Sequence, residues 1–129
     1  MAKGLTKQQL IDYGIIDIRK DKDTGCWVIE RRTKLNGFSK VQDHIVRAKE
    51  TGKKNIYLPP NVYMIFHFCH QGKKIAITAQ RAIYAWFKGD IPDGYDVDHI
   101  DDNPFNNNPE NLQLLTRKQN IQKKYMKWR

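Results

Sequence analysis

Residues 101–111 read DDNPFNNNPEN, and apart from Phe105 and the two prolines every position carries a polar side chain. A stretch of this kind runs over the surface as a loop, because nothing inside a core would satisfy so many donors and acceptors. Its flanks are different. Residues 95–100, YDVDHI, and 112–115, LQLL, have strand character. Thr116 then supplies an N-cap for a last helix in which Ile121, Tyr125 and Trp128 share one face. The chain therefore ends in the order strand, polar loop, strand, helix.

Upstream, Thr6-Lys7-Gln8-Gln9 has the form of a capping box, and with Leu10, Ile11 and a stop at Gly14 it predicts a short helix. Gly25-Cys26-Trp27-Val28-Ile29-Glu30 reads as a strand, and Asn36-Gly37 turns the chain into a second extended segment from Phe38. Pro59-Pro60-Asn61 interrupts the chain before the β-rich run Val62–His70, which is expected to pair through Gln71-Gly72 with Lys73–Thr78. Thr78 can cap a further helix. In it Ala79, Ala82, Ile83, Trp86 and Phe87 recur at helical spacing, all expected in the core, before a stop at Gly89. The expected fold is α+β, one continuous compact domain of 129 residues: a basic hairpin-and-helix region at 1–89 and a C-terminal module at 90–129.

The net charge is +9, and its distribution is uneven. Residues 1–89 hold 17 Lys/Arg and 7 Asp/Glu, residues 90–116 hold none and 7, and residues 117–129 hold 6 and none. An acidic island between basic flanks fits carboxylates that hold a cation, surrounded by side chains that hold phosphates. The apolar run at residues 62–66 is far too short for a membrane span, and residues 1–7 contain no signal-peptide core. With Cys26 and Cys69 as the only cysteines, a reduced, cytoplasmic protein is expected. His67, Cys69 and His70 lack the paired spacing of a zinc site and are placed in or beside the core. Asp96, Asp98 and Ile100 break the alternation that a calcium loop requires.

Residues 97–120, VDHIDDNPFNNNPENLQLLTRKQN, closely resemble the HNH nuclease family, in the variant of phage and intron-encoded homing endonucleases where Asn replaces the last metal-binding His. The resemblance rests on the Asp-His pair, the Asn-rich loop, the Asn-Leu opening the second strand and an Asn one turn into the helix. Gly25-Cys26-Trp27, Arg81-Ala82-Ile83-Tyr84, Ile91-Pro92 and Gly94 look more loosely like the N-terminal part of many phage HNH proteins. The C-terminal module is then a ββα-metal fold. The resemblance implies that Asp98 and Asn120 are metal ligands, His99 the general base and Asn111 the residue that orients it.

Each role suits the residue type. An imidazole, with an ordinary pKa near ~6.5, can accept a proton from water above pH 7. Oxygen ligands favour Mg²⁺ or Mn²⁺, completed by water and phosphate. Asn103, Asn106, Asn107 and Asn108 are expected to make turns. Where relatives commonly have Gly, this chain has Asp102. Double-stranded DNA is the expected partner, with Arg31, Arg32, Lys34, Lys40, Lys53, Lys54, Lys73, Lys74, Arg117, Lys118, Lys123 and Lys124 as backbone contacts. A single copy of the motif implies nicking, one phosphodiester bond at a time. The alternatives are a basic DNA-binding module without cleavage and an accessory nuclease of a phage packaging complex; a homodimer or packaging proteins are the other partners in view.

Overall fold

The computed structural model describes residues 3–32, 38–47 and 62–127. In chain order these form α1 (Lys7–Asp12), β1 (Ile15–Lys20), β2 (Trp27–Arg32), β3 (Phe38–Gln42), β4 (His44–Arg47), β5 (Val62–His70), β6 (Lys73–Thr78), α2 (Ala79–Phe87), β7 (Tyr95–His99), β8 (Leu112–Thr116) and α3 (Arg117–Lys127), with a single 3₁₀ turn at Pro109–Asn111. The strands make three small antiparallel sheets, β1-β2-β3, β4-β5-β6 and β7-β8. This is the α+β fold expected.

Local chemistry sets most boundaries. Thr6 and Gln9 close a complete capping box on α1: the Thr6 hydroxyl accepts from the Gln9 amide at 3.1 Å and the Gln9 side chain accepts from the Thr6 amide at 2.9 Å. Thr116 and Gln119 repeat the device at α3, at 3.2 and 3.0 Å. The β5-β6 hairpin turns on Gln71 and Gly72, both left-handed at φ 50° and 77°, the backbone pattern of a two-residue hairpin loop. Of the turn expected at Asn36-Gly37, the structure describes only the outcome, β2 paired with β3; that turn and Pro59-Pro60-Asn61 lie outside the described residues.

Alternation along β5 turns Phe66 and Phe68 into the core and leaves His67 and Cys69 exposed, while the half-buried His70 ring packs edge-on against Tyr13. Phe66 joins Leu10, Ile15, Ile18, Ile29, Ala82, Ile83, Ile91, Val97 and Leu112 in one apolar cluster, so the core has no break at residue 90. Full burial of each large member contributes roughly 1.5–3 kcal/mol.

The helix α2 needs one correction. Ala79, Ala82, Ile83 and Ala85 are its buried face and Trp86 packs half-buried against the core, whereas Phe87, expected inside, is 48% exposed and packs edge-on with Trp27. On α3, Ile121 is likewise exposed; the Tyr125 side chain and Trp128 lie outside the described residues. Among the described residues no helix is long and apolar enough to cross a membrane.

The chain's beginning is fastened to the entrance of β7. Leu5 and Ile91 exchange backbone hydrogen bonds at 3.0 and 2.8 Å, Asp93 accepts from the Gly4 amide at 2.6 Å and Asp90 from the Lys7 amide at 2.9 Å. Arg81 donates to the Lys3 carbonyl. A Cβ on Gly4 would collide with the Ile91 carbonyl, so this approach requires glycine.

Candidate active site

β7 and β8 pair from Tyr95↔Thr116 to His99↔Leu112. Alternation along β7 buries Val97 and His99 and turns Asp96 and Asp98 to the other face, where they meet α3. Asp98 and His99 therefore leave the strand on opposite sides at its last two positions.

The polar loop that follows is built on Asp101. One carboxylate oxygen accepts from the Asn103 amide and the Asn111 side chain, both at 2.8 Å, and the other accepts from Asn106 at 2.9 Å. Asn103 in turn accepts from the Phe105 amide at 3.0 Å, the side-chain-to-backbone pattern expected of asparagines in turns. Hydrogen bonds from Asn106, Asn103 and Asn111 hold the Asp101 carboxyl down to about 2. With the folded value depressed, the loop contacts are complete above the ordinary carboxylate value near 4 and lost as pH falls through about 2. Protection of the Asn103 amide in hydrogen exchange should therefore persist at pH 4, and Asp101→Ala should abolish it at neutral pH.

The His99 ring is almost fully buried, and its Nε2 lies 2.7 Å from Oδ1 of Asn107, which is 1% exposed. Asn111, expected to orient the ring, makes different contacts: its Nδ2 donates to Asp101 at 2.8 Å and to the Asn106 carbonyl at 2.9 Å, and its Oδ1 accepts from the Asp101 amide at 3.2 Å. Asn111 ties the loop shut, and the side chain on the ring is Asn107. Nothing in the NNN run distinguishes Asn107 from its neighbours, because its contact depends on how the loop folds back over β7.

Asp98 Oδ2 accepts from Gln113, its cross-strand neighbour, at 2.9 Å and from the Lys123 ammonium at 2.6 Å. Lys123 Nζ also reaches the His99 carbonyl at 3.0 Å and the Asp102 carboxylate at 3.3 Å. Burial works against the charge on Lys123, but its hydrogen bonds to Asp98 and Asp102 outweigh it, and the pKa is raised. Lys123, expected to contact DNA, thus sits inside the site. One turn earlier on α3, Asn120 donates to Asp96 at 3.4 Å. The two expected metal ligands lie on facing elements, each engaged with another side chain.

The donor set fits a hard divalent cation. Two carboxylates and a carbonyl already surround one positive charge, and all are oxygen donors. Among the described residues no group of three His, Cys, Asp or Glu could hold an ion by itself, so water and phosphate would have to complete the shell. Asp102 adopts a left-handed φ of 61°, a conformation that costs a glycine nothing.

Among the expected DNA contacts, Arg31 is corrected. It is buried; its guanidinium donates to the Tyr13 carbonyl at 2.9 and 3.1 Å and to the Cys69 carbonyl at 3.1 Å, and it lies over the Phe68 ring. Burial pushes its pKa down. It braces α1 against β5 and is closed to a phosphate. Arg32, Lys40, Lys73, Lys74, Arg117 and Lys118 are exposed. Lys34, Lys53, Lys54 and the Lys124 side chain lie outside the described residues.

Comparison with known proteins finds a family match over part of the chain. Residues 78–122 match the HNH endonuclease family, a span that takes in α2, β7, the polar loop, β8 and the first turns of α3. The chain is also 31% identical over 77 residues to "SPbeta prophage-derived putative HNH homing endonuclease YosQ" of Bacillus subtilis (strain 168), an alignment covering 59% of this chain and 44% of that relative. The chain thus spans less than half the length of that curated relative. No solved structure matches it significantly.

Proposed function

We propose that this protein is a metal-dependent endonuclease that nicks double-stranded DNA, of the phage or homing type, acting in the cytoplasm where that DNA is. The observation carrying this reading is the coincidence of the HNH match with a strand-loop-strand-helix unit that sets Asp98 and the His99 carbonyl against α3, with the His99 ring on the other side of the strand end. Asp98 and Asn120 would hold Mg²⁺ or Mn²⁺, which when bound supplies positive charge to the phosphate and the departing 3′ oxygen. His99 takes a proton from the attacking water, and the loop closed by Asp101 and Asn111 keeps the ring in place. Exposed Arg32, Lys40, Lys73, Lys74, Arg117 and Lys118 would engage the phosphate backbone.

Incubation with supercoiled plasmid and Mg²⁺ tests this reading. Open circles should appear first, with linear DNA later or only at high protein concentration. Unchanged plasmid would leave a non-cleaving DNA-binding module, and linear DNA without a nicked precursor would indicate a dimer across both strands. Binding should also depend on salt. If about six phosphates are neutralised, log affinity falls against log salt with a slope of roughly −5, and a flat response in a filter-binding titration would place the basic residues away from DNA.

A further inference from the structure

We propose that Asn107 is the positioning residue for His99, holding its ring as the Nε2–H tautomer and so making Nδ1 the nitrogen that takes the proton. The inference rests on the nuclease reading and deepens it. Asn107 Oδ1 is an acceptor 2.7 Å from Nε2, and both side chains are at least nine-tenths buried. An acceptor at that distance, away from water, requires a proton on Nε2. In a neutral imidazole the other nitrogen then carries the lone pair, and among the described residues Nδ1 has no hydrogen bond.

A second feature speaks against a purely structural asparagine. Its Nδ2 is buried and has no hydrogen-bond partner among the described residues. An orphaned buried donor destabilises the fold, so Asn at this position is poorly explained by stability and well explained by what its oxygen does to the ring. Asn111 cannot substitute, since its amide is spent on Asp101 and Asn106. In the step itself a water O–H bond breaks, its proton passes to Nδ1, the water oxygen bonds to phosphorus, and the 3′ oxygen leaves and is protonated by solvent.

The test combines a tautomer measurement with rates. Nitrogen-15 NMR of the His99 ring, assigned by its loss in His99→Ala, should show Nε2–H in the wild type. Asn107→Leu, similar in size but without an acceptor, should lose that preference and cleave roughly 100-fold more slowly at unchanged DNA affinity. Asn107→Asp keeps an acceptor oxygen and should retain both the tautomer and cleavage within about tenfold of wild type. A wild-type ring protonated on Nδ1 overturns the proposal, as does an Asn107→Leu protein cleaving at the wild-type rate or an Asn107→Asp protein as slow as the leucine variant. If Asn107→Leu does not fold, the wild-type tautomer and Asn107→Asp decide. If the wild type does not cleave DNA at all, the nuclease reading fails, and the tautomer measurement alone decides the role of Asn107.

Discussion

Replacing His99 by Ala is expected to slow DNA cleavage by roughly 100- to 10,000-fold, the range a positioned general base supplies, while DNA affinity changes by only a few-fold. The distinction follows from where the ring lies. Buried against Asn107, it offers a phosphate little surface, so removing it takes away proton transfer and leaves the exposed cations untouched. Single-turnover cleavage and equilibrium binding, measured on the same DNA, separate the two quantities. Cleavage close to the wild-type rate would exclude His99 as the base; a large loss of binding would make it a contact instead. Ala leaves a small void and an unpaired Asn107 oxygen, so the variant's melting temperature belongs beside its rate.

Asp98→Ala should slow cleavage to a similar degree, on the order of 1,000-fold, because a cation on the phosphate contributes several kcal/mol at the transition state. Chelation should have the same effect on the wild type, and full activity in excess chelator would defeat the metal mechanism. The Lys123 pair adds a less obvious expectation. With its ammonium 2.6 Å from Asp98 and 3.3 Å from Asp102, Lys123 holds the oxygens an ion would need. Lys123→Met should therefore tighten Mg²⁺ binding several-fold in calorimetry, while Asp98→Ala weakens it. Weaker binding in Lys123→Met would mean that the lysine supports the ion and does not compete with it.

Features governed by neighbours in sequence were legible. The Thr6-Gln9 capping box, the Thr116 cap, the Gln71-Gly72 turn and the strand-loop-strand-helix order depend on residues a few positions apart, and the structure has all of them. The strand β1 was missed for a physical reason: an irregularity between Ile15 and Asp17 puts Ile15 and Ile18 inside with Ile16 outside, which spoils the period of two. Arg31 was misread because counting charge does not reveal that two carbonyls and an aromatic ring await a guanidinium. In the site, the candidates Asp98, His99 and Asn120 were legible from the motif. The partners of those side chains were not, since Asn107, Gln113 and Lys123 reach them only after the loop folds and α3 docks.

The clasp between residues 4–7 and 90–93 bears on how such a module is transplanted. A segment cut at residue 78, where the family match begins, would leave Ile91 without its bridge to Leu5 and strip Asp90 and Asp93 of the amides they accept from. Two carboxylates just ahead of Asp98 would then lose these hydrogen bonds, and an apolar side chain now 1% exposed would lose part of its cover. A segment of this chain moved elsewhere therefore has to carry residues 3–7 along, or meet another bridging segment in their place.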